Sequence, residues 1–343
     1  MIETQVLQLD PERPQEDALD RAASIIRGGG VVAFPTETVY GLGADAMNES
    51  AVRRIFEAKG RPADNPLIVH VAGSDMLWLV ARDVSSQARS LIERFWPGPL
   101  TLVLERQPQV ASSVSAGLST VAVRMPQNKI AIELIERAQT PVAAPSANRS
   151  GRPSPTCAAH VLGDLGGRIE MILDGGATNI GIESTVVDMT VAPPVILRPG
   201  WVTQEMIAEA IGPVGHARSE EELRRSPGTR HRHYSPRARV VLVERASLPF
   251  IEQLCAEFLK SGPVALIAHT RVAIDDPRLS ASFLEAEASS YAHSLYGALR
   301  ELDEKNPGVI IVEGIDDAGE GAAVMDRLRR AASEIVEEKP ERE

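Results

Sequence analysis

"PQEDALDRAASIIRGGGVVAFPTETVYGLGADA", residues 14–46, carries the alternation on which the fold turns. A proline opens a run of helically spaced apolar residues and Gly28, Gly29 and Gly30 close it, a proline-start, glycine-stop helix. "VVAFP" then reads as a buried strand. Beyond Pro35 come Thr36, Glu37, Thr38 and Tyr40, ahead of Gly41 and Gly43, a loop whose hydroxyls and exposed backbone suit a small polar ligand. Loops at strand ends are where α/β proteins hold ligands. The plainer reading is a turn closed by its own threonine hydrogen bonds.

The same alternation continues outward. "SAVRRIFEAKG" is a second helix ending at Gly60, and helices are expected around 85–95 and 129–138. "PLIVHV", "LTLVLE", "TVAVRM", "PVAAP", "MILD" and "STVVDM" are short strands, and Thr203 caps a last helix through Ile211. Residues 1–212 thus form an α/β domain with a twisted mixed sheet and packed helices. After 238 the period is plainer. "ARVVLVE", "PVALIA" and "VIIVEG" are strands, separated by "LPFIEQLCAEFLKSG" and "EAEASSYAHSLYGALRELDEKNPG" and followed by the helix "AAVMDRLRRAASEIV". That order predicts a smaller, doubly wound, mostly parallel α/β domain over 239–343.

The chain of 343 residues is long enough for two cores, and 43% apolar with 24% charged residues marks a globular protein. No apolar run reaches membrane-span length, and "MIETQVLQLDPERPQ" lacks a signal-peptide layout. With only Cys157 and Cys255, a disulfide scaffold is excluded and a reducing cytoplasm is expected. The net charge of −11 argues against a general nucleic-acid binder. Residues 1–212 carry −6 and 239–343 carry −8, whereas 213–238 carries +3. That basic linker contains "SPGTRHRHYSPRA" (226–238), cationic and aromatic in an acidic protein.

No G-x-G-x-x-G, Walker-type or G-x-S-x-G motif stands where it could act. Anion-binding loops take their place. In "KGRPADNPLIVHV" (59–71), Lys59 and Arg61 follow a helix end, where one cation is explained by the dipole and two with Asn65 look like a phosphate clamp. His70 lies in the strand beyond, where a lone histidine is ordinarily structural. "PVAAPSANRSGRPSPT" (141–156) offers Ser146, Asn148, Ser150, Ser154, Arg149 and Arg152. Arg124 ends a strand, "GIESTVVD" offers Glu183, Ser184 and Thr185, and "ILRPGW" offers Arg198. Five such loops point to a polyanionic substrate.

"PTETVYGLG", "KGRPADNPLIVHV", "WPGPLTLVL", "TVAVRMP", "APSANRSG", "ESTVVD" and "LRPGW", in order over residues 15–205, resemble the YrdC-like threonylcarbamoyl-AMP synthases. The linker and the domain after it are similar to the long, two-domain form. The resemblance implies an enzyme joining L-threonine, bicarbonate or CO2, and ATP into threonylcarbamoyl-adenylate and pyrophosphate. That product feeds threonylcarbamoylation of adenosine 37 in tRNAs reading codons that begin with A, a second step performed by a separate tRNA threonylcarbamoyl transferase. It implies threonine contacts at Thr38, His70, Arg124, Ala144 and Ser184. It implies ATP contacts at Arg61, Asn65, Thr120, Ser146, Ser154, Arg198 and Tyr234, with Lys59 beside the phosphates and Lys59 and Arg61 catalytic. Mg²⁺ would be bound through ATP phosphates, with no protein metal site.

The residue chemistry fits this assignment. A carbamate made from threonine and CO2 is itself the nucleophile, so the chain needs no serine–histidine or cysteine–histidine pair, only positioning and charge neutralisation. Tyr234 and the linker cations are then expected to form a lid over the cleft, against the plain alternative of a solvated spacer. Two rivals stay open. One is a nucleic-acid-binding module, opposed by net charge and 4% aromatics; stable tRNA binding is not expected. The other is a hydrogenase-maturation-type carbamoyltransferase, whose upstream cysteine pairs are absent.

Overall fold

The helix expected behind Pro14 forms as α1 (Glu16–Arg27), and the chain turns out of it at Gly29, whose φ of 79° is the left-handed conformation glycine adopts freely. The computed structural model describes residues 2–227, 234–245 and 247–338. These fall into two compact units, one drawn from 1–150 and 154–231, the other from 151–153 and 232–343.

In the first unit β1 (Gln5–Gln8) precedes α1, followed by β2 (Val32–Phe34), β3 (Gly41–Asp45), α2 (Glu49–Lys59), β4 (Ile68–His70), α3 (Ser74–Val80), β5 (Ala81–Arg82), α4 (Ser86–Phe95), β6 (Leu100–Arg106) and β7 (Thr120–Arg124). Then come α5 (Lys129–Ala138), β8 (Val142–Ala143), α6 (Ala158–Leu165), β9 (Met171–Asp174), β10 (Thr185–Asp188), β11 (Val195–Arg198), α7 (Gln204–Ile211), β12 (Gly215–His216) and α8 (Glu220–Leu223). The strands join in the order β1-β9-β2-β3-β8-β4-β7-β6-β10-β11-β12, with β5 on β6. β4 and β7 run parallel, β2 and β3 antiparallel, so the sheet is mixed as expected.

Local chemistry fixes the helix ends. The Asn48 side chain accepts from the N–H groups of Ser50 and Ala51 to start α2, and the Thr203 hydroxyl accepts from Met206 to start α7. α2 stops at Gly60 (φ 63°), where the Arg61 N–H returns to the Phe56 carbonyl, a Schellman-type reversal. "GLGAD", expected as loop, is instead β3. Gly43 lets the Phe34 ring and Val142 pack against bare backbone, since a Cβ there would lie 2.6 and 2.7 Å from them.

Strand alternation sorts the residues of β4 and β7. Val69, Val121 and Val123 point into the main core, while Ile68 and Ala122 belong to a smaller cluster on the other face. His70 and Arg124 follow Ile68 and Ala122 at even spacing, so they share that second face, and they pair in register across the two strands.

The second unit contains β13 (Arg239–Glu244), α9 (Leu248–Leu259), β14 (Val264–Ala268), β15 (Leu279–Phe283), α10 (Ala288–Glu304), β16 (Val309–Glu313), α11 (Gly321–Ala331) and β17 (Glu334–Glu337). Its order is β15-β14-β16-β13-β17, with every pair parallel. One expectation is corrected here. The helix expected through Val336 ends at Ala331, because Ala332 turns extended and Glu334–Glu337 pairs with the edge of β13. β15, too polar to read as a strand, is recruited by the open edge of β14.

Candidate active site

The loop after β2 satisfies both readings of its threonines. The Thr36 hydroxyl donates to the Val39 carbonyl (2.6 Å) and accepts from the N–H groups of Thr38 and Val39 (3.2 Å each), closing a local turn. That turn presents the Thr38 hydroxyl to Arg124, whose Nη1 donates to it at 2.9 Å. Arg124 Nε donates to the Gly98 carbonyl (3.1 Å), and Nη2 lies 2.6 Å from Glu37 Oε1, with both side chains buried. The two charges touch without the alignment of a hydrogen bond. Neither Glu37 oxygen nor Arg124 Nη2 is hydrogen-bonded, and His70 Nδ1 beside them has no partner either.

Burial pushes the His70 pKa down to about 3, and the Arg124 charge adds to the effect, so the ring is neutral at physiological pH. This gives a stability prediction. An unfolded imidazole titrates at 6.5, whereas the folded one resists protonation until about 3. Between these values the unfolded chain holds more protons, so stability is full above about 6.5 and falls as pH drops toward 3. A His70→Gln variant is expected to lose less melting temperature than the parent between about pH 7 and 4.5. Parallel losses would clear His70 of the effect.

Ser184 stands where β10 begins, its hydroxyl 2.7 Å from that of Thr101. Arg198 at the end of β11 donates to the Ser184 carbonyl through Nε (3.1 Å) and Nη2 (3.0 Å), and through Nη1 to the carbonyl of Pro227 (3.0 Å). It thereby ties Pro227 to the Ser184 strand end, and Ser226 beside it in sequence is fully buried. Gly200 makes this approach possible, since a Cβ would sit 2.2 Å from the Thr185 nitrogen.

Lys59 ends α2 almost fully buried. Its Nζ donates to the carbonyls of Ser146 (2.5 Å) and Asn148 (2.6 Å) and to Asn148 Oδ1 (3.2 Å), while the Ser146 hydroxyl donates to Asn148 Oδ1 (2.6 Å). The ammonium clamps the 146–148 loop. Arg61 closes its own loop, donating to the carbonyls of Asn65 (3.2 Å) and Pro66 (2.9 Å). Thr120 opens β7, roughly 13 Å along the strand from Arg124 at 3.3 Å per residue. Ser154, also buried, donates to Glu183 at 2.5 Å, and Ala144 donates its N–H to Ile68.

Tyr234 belongs to the second unit. It is buried with φ 64°, stacked on Tyr296 at 5.7 Å with the Arg327 guanidinium 5.5 Å from its ring centroid. Arg230, His231, Arg232 and His233, on which the lid expectation leans, lie outside the described residues. Two cations of the basic segment have structural partners: Arg225 pairs with Asp188 (2.8 Å), and Arg237 with Asp303 (3.1 Å). Arg152 also falls in the second unit. Thr101 went unread in the sequence; its signal is a hydroxyl inside the apolar strand "LTLVL".

Residues 24–200 match the Sua5–YciO–YrdC family model ("Telomere recombination"). The chain belongs to this family. Residues 202–333 match the threonylcarbamoyl-AMP synthase C-terminal domain. The threonylcarbamoyl-AMP synthase of Pyrococcus abyssi is 48% identical, over 94% of this chain and 96% of the relative. That of Bacillus subtilis is 45% identical over 91% and 92%. The crystal structure of P. abyssi Sua5 complexed with L-threonine shares 45% identity, with a TM-score of 0.93 over 98% of this chain and 100% of that one. The α/β architecture read from the sequence is the architecture of this family.

Proposed function

We propose that this protein is an L-threonylcarbamoyladenylate synthase, a nucleotidyltransferase that makes threonylcarbamoyl-AMP and pyrophosphate from L-threonine, CO2 or bicarbonate, and ATP. The observation that carries the reading is the buried Arg124–Glu37 pair beside Thr38 and His70, polar and charged groups with unmet hydrogen-bonding capacity in a family whose named relatives make this compound.

In the reaction the threonine nitrogen bonds to the carbon of CO2 and loses a proton, giving a carbamate. A carbamate oxygen then bonds to the α-phosphorus of ATP as the bond to the β-phosphate oxygen breaks and pyrophosphate leaves. Arg124 receives the threonine carboxylate, and Thr38, neutral His70, Ser184 and the Ala144 backbone surround the rest of the amino acid. Arg61, Asn65, Thr120, Ser146, Ser154 and Arg198 line the nucleotide, and Lys59 holds the Ser146 loop beside the phosphates. Mg²⁺ would be carried mainly on ATP phosphate oxygens and water. Its charge would offset that of the phosphates.

The product passes to a separate transferase for modification of adenosine 37, in the cytoplasm and without stable tRNA binding by this chain. Among the described residues no helix is long and apolar enough to cross a membrane. The test is pyrophosphate release from ATP, Mg²⁺ and bicarbonate, with and without L-threonine, with the adenylate sought by mass. Release that needs both threonine and bicarbonate is expected, and turnover indifferent to threonine would sink the reading.

A further inference from the structure

Glu37 is the charged side chain of the cluster to which the reaction gives no task. It follows Thr36 in the loop beyond β2, with its side chain only 6% exposed. Thr36 and Thr38 spend their hydroxyls on each other, on Val39 and on Arg124, and none of these reaches the Glu37 carboxylate. Its contact is the Arg124 Nη2 at 2.6 Å, off the hydrogen-bonding direction, and both its oxygens are without hydrogen bonds. Native proteins pair nearly all their buried polar groups, and a buried carboxylate with no donor is among the costliest exceptions. Here the exception is threefold, since Arg124 Nη2 and His70 Nδ1 are also unmatched. An acceptor carboxylate beside a donor guanidinium is the complement of an α-amino-acid zwitterion.

We propose that Glu37 receives the α-ammonium group of the amino-acid substrate while Arg124 receives its carboxylate. The inference rests on the threonine reading and deepens it. A zwitterion adds no net charge to the Glu37–Arg124 pair and gives each member an aligned partner. An α-hydroxy acid, being an anion without the ammonium, would set a second carboxylate against Glu37 with one guanidinium to balance both. In a buried site that imbalance is costly. Glu37 would thereby select α-amino acids over their hydroxy counterparts before any chemistry begins.

The experiment is calorimetric titration of the full chain with L-threonine and with 2,3-dihydroxybutanoate, which carries a hydroxyl in place of the amino group, repeated on Glu37→Gln. The parent is expected to prefer threonine strongly. Glu37→Gln is expected to bind threonine about 10- to 100-fold more weakly, the range for a hydrogen bond to a charged group, with ATP binding unchanged. Threonine affinity within about twofold of the parent, in a variant that melts normally and binds ATP, would overturn the assignment. Should Glu37→Gln fail to fold, the parent decides the matter, since equal affinity for the hydroxy acid means the carboxylate holds only water. Failure of the parent to bind threonine at all would instead remove the threonine reading itself.

Discussion

Replacing Arg124 with methionine is expected to abolish threonine-dependent pyrophosphate release and to cost about 3–5 kcal/mol of folding stability, the range for breaking one side of a buried ion pair. The size follows from what the guanidinium holds. It donates to the Gly98 carbonyl and the Thr38 hydroxyl and balances the Glu37 charge, all away from water. Methionine would fill the space and leave Glu37 a buried anion with no counter-charge. The double variant Arg124→Met/Glu37→Gln removes that anion and is expected to recover most of the stability and none of the activity. Urea unfolding of the parent, both singles and the double gives the coupling directly. A single variant as stable as the parent would show that the pair carries no such energy. Arg124→Lys should also fail, because one ammonium on a flexible stem cannot reproduce a planar fork spread over three partners.

The readable parts of the fold were those where one local signal sufficed. α1, α2 and α7 announce themselves by proline, glycine and threonine at their ends, and the buried strands of the second unit by continuous apolar runs. β3, β15 and β17 were hidden because each is a strand by virtue of its neighbour. Gly41–Asp45 carries glycines that read as a loop until Phe34 and Val142 pack on them, and Glu334–Glu337 continues a helical pattern until the edge of β13 takes it.

The site divides along the same line. Residue types at strand ends were legible as anion- and ligand-binding loops, and the resemblance supplied their roles. That His70 and Arg124 share one end of β4 and β7, with Thr120 roughly 13 Å back along β7, needs the strand register. The Arg124–Glu37 contact joins residues 87 positions apart, and no spacing rule reaches that far. Lys59 shows the limit best. Beside Arg61 it reads as half of a phosphate clamp, and in the folded chain its ammonium is already engaged by three protein oxygens.

Lys59→Met is expected to lower folding stability by about 2–5 kcal/mol, because it leaves the carbonyls of Ser146 and Asn148 and the Asn148 amide oxygen buried without their donor. Activity should fall chiefly through the nucleotide, with a raised KM for ATP as the Ser146 loop loses its anchor. Lys59→Arg is expected to rescue little. A lysine ammonium aims three hydrogens at three converging oxygens, whereas a guanidinium is flat and larger, and this site is closed. The measurements are urea unfolding and steady-state kinetics at varied ATP. A direct role on the phosphates predicts a different pattern, since the ammonium would then exchange a loop carbonyl for a phosphate oxygen only in the reacting complex. In that case Lys59→Met keeps KM for ATP near the parent value and loses kcat, while stability still falls. Stability unchanged together with lost kcat would go further, showing that the loop holds its shape without the ammonium and that the charge is spent on the phosphates alone.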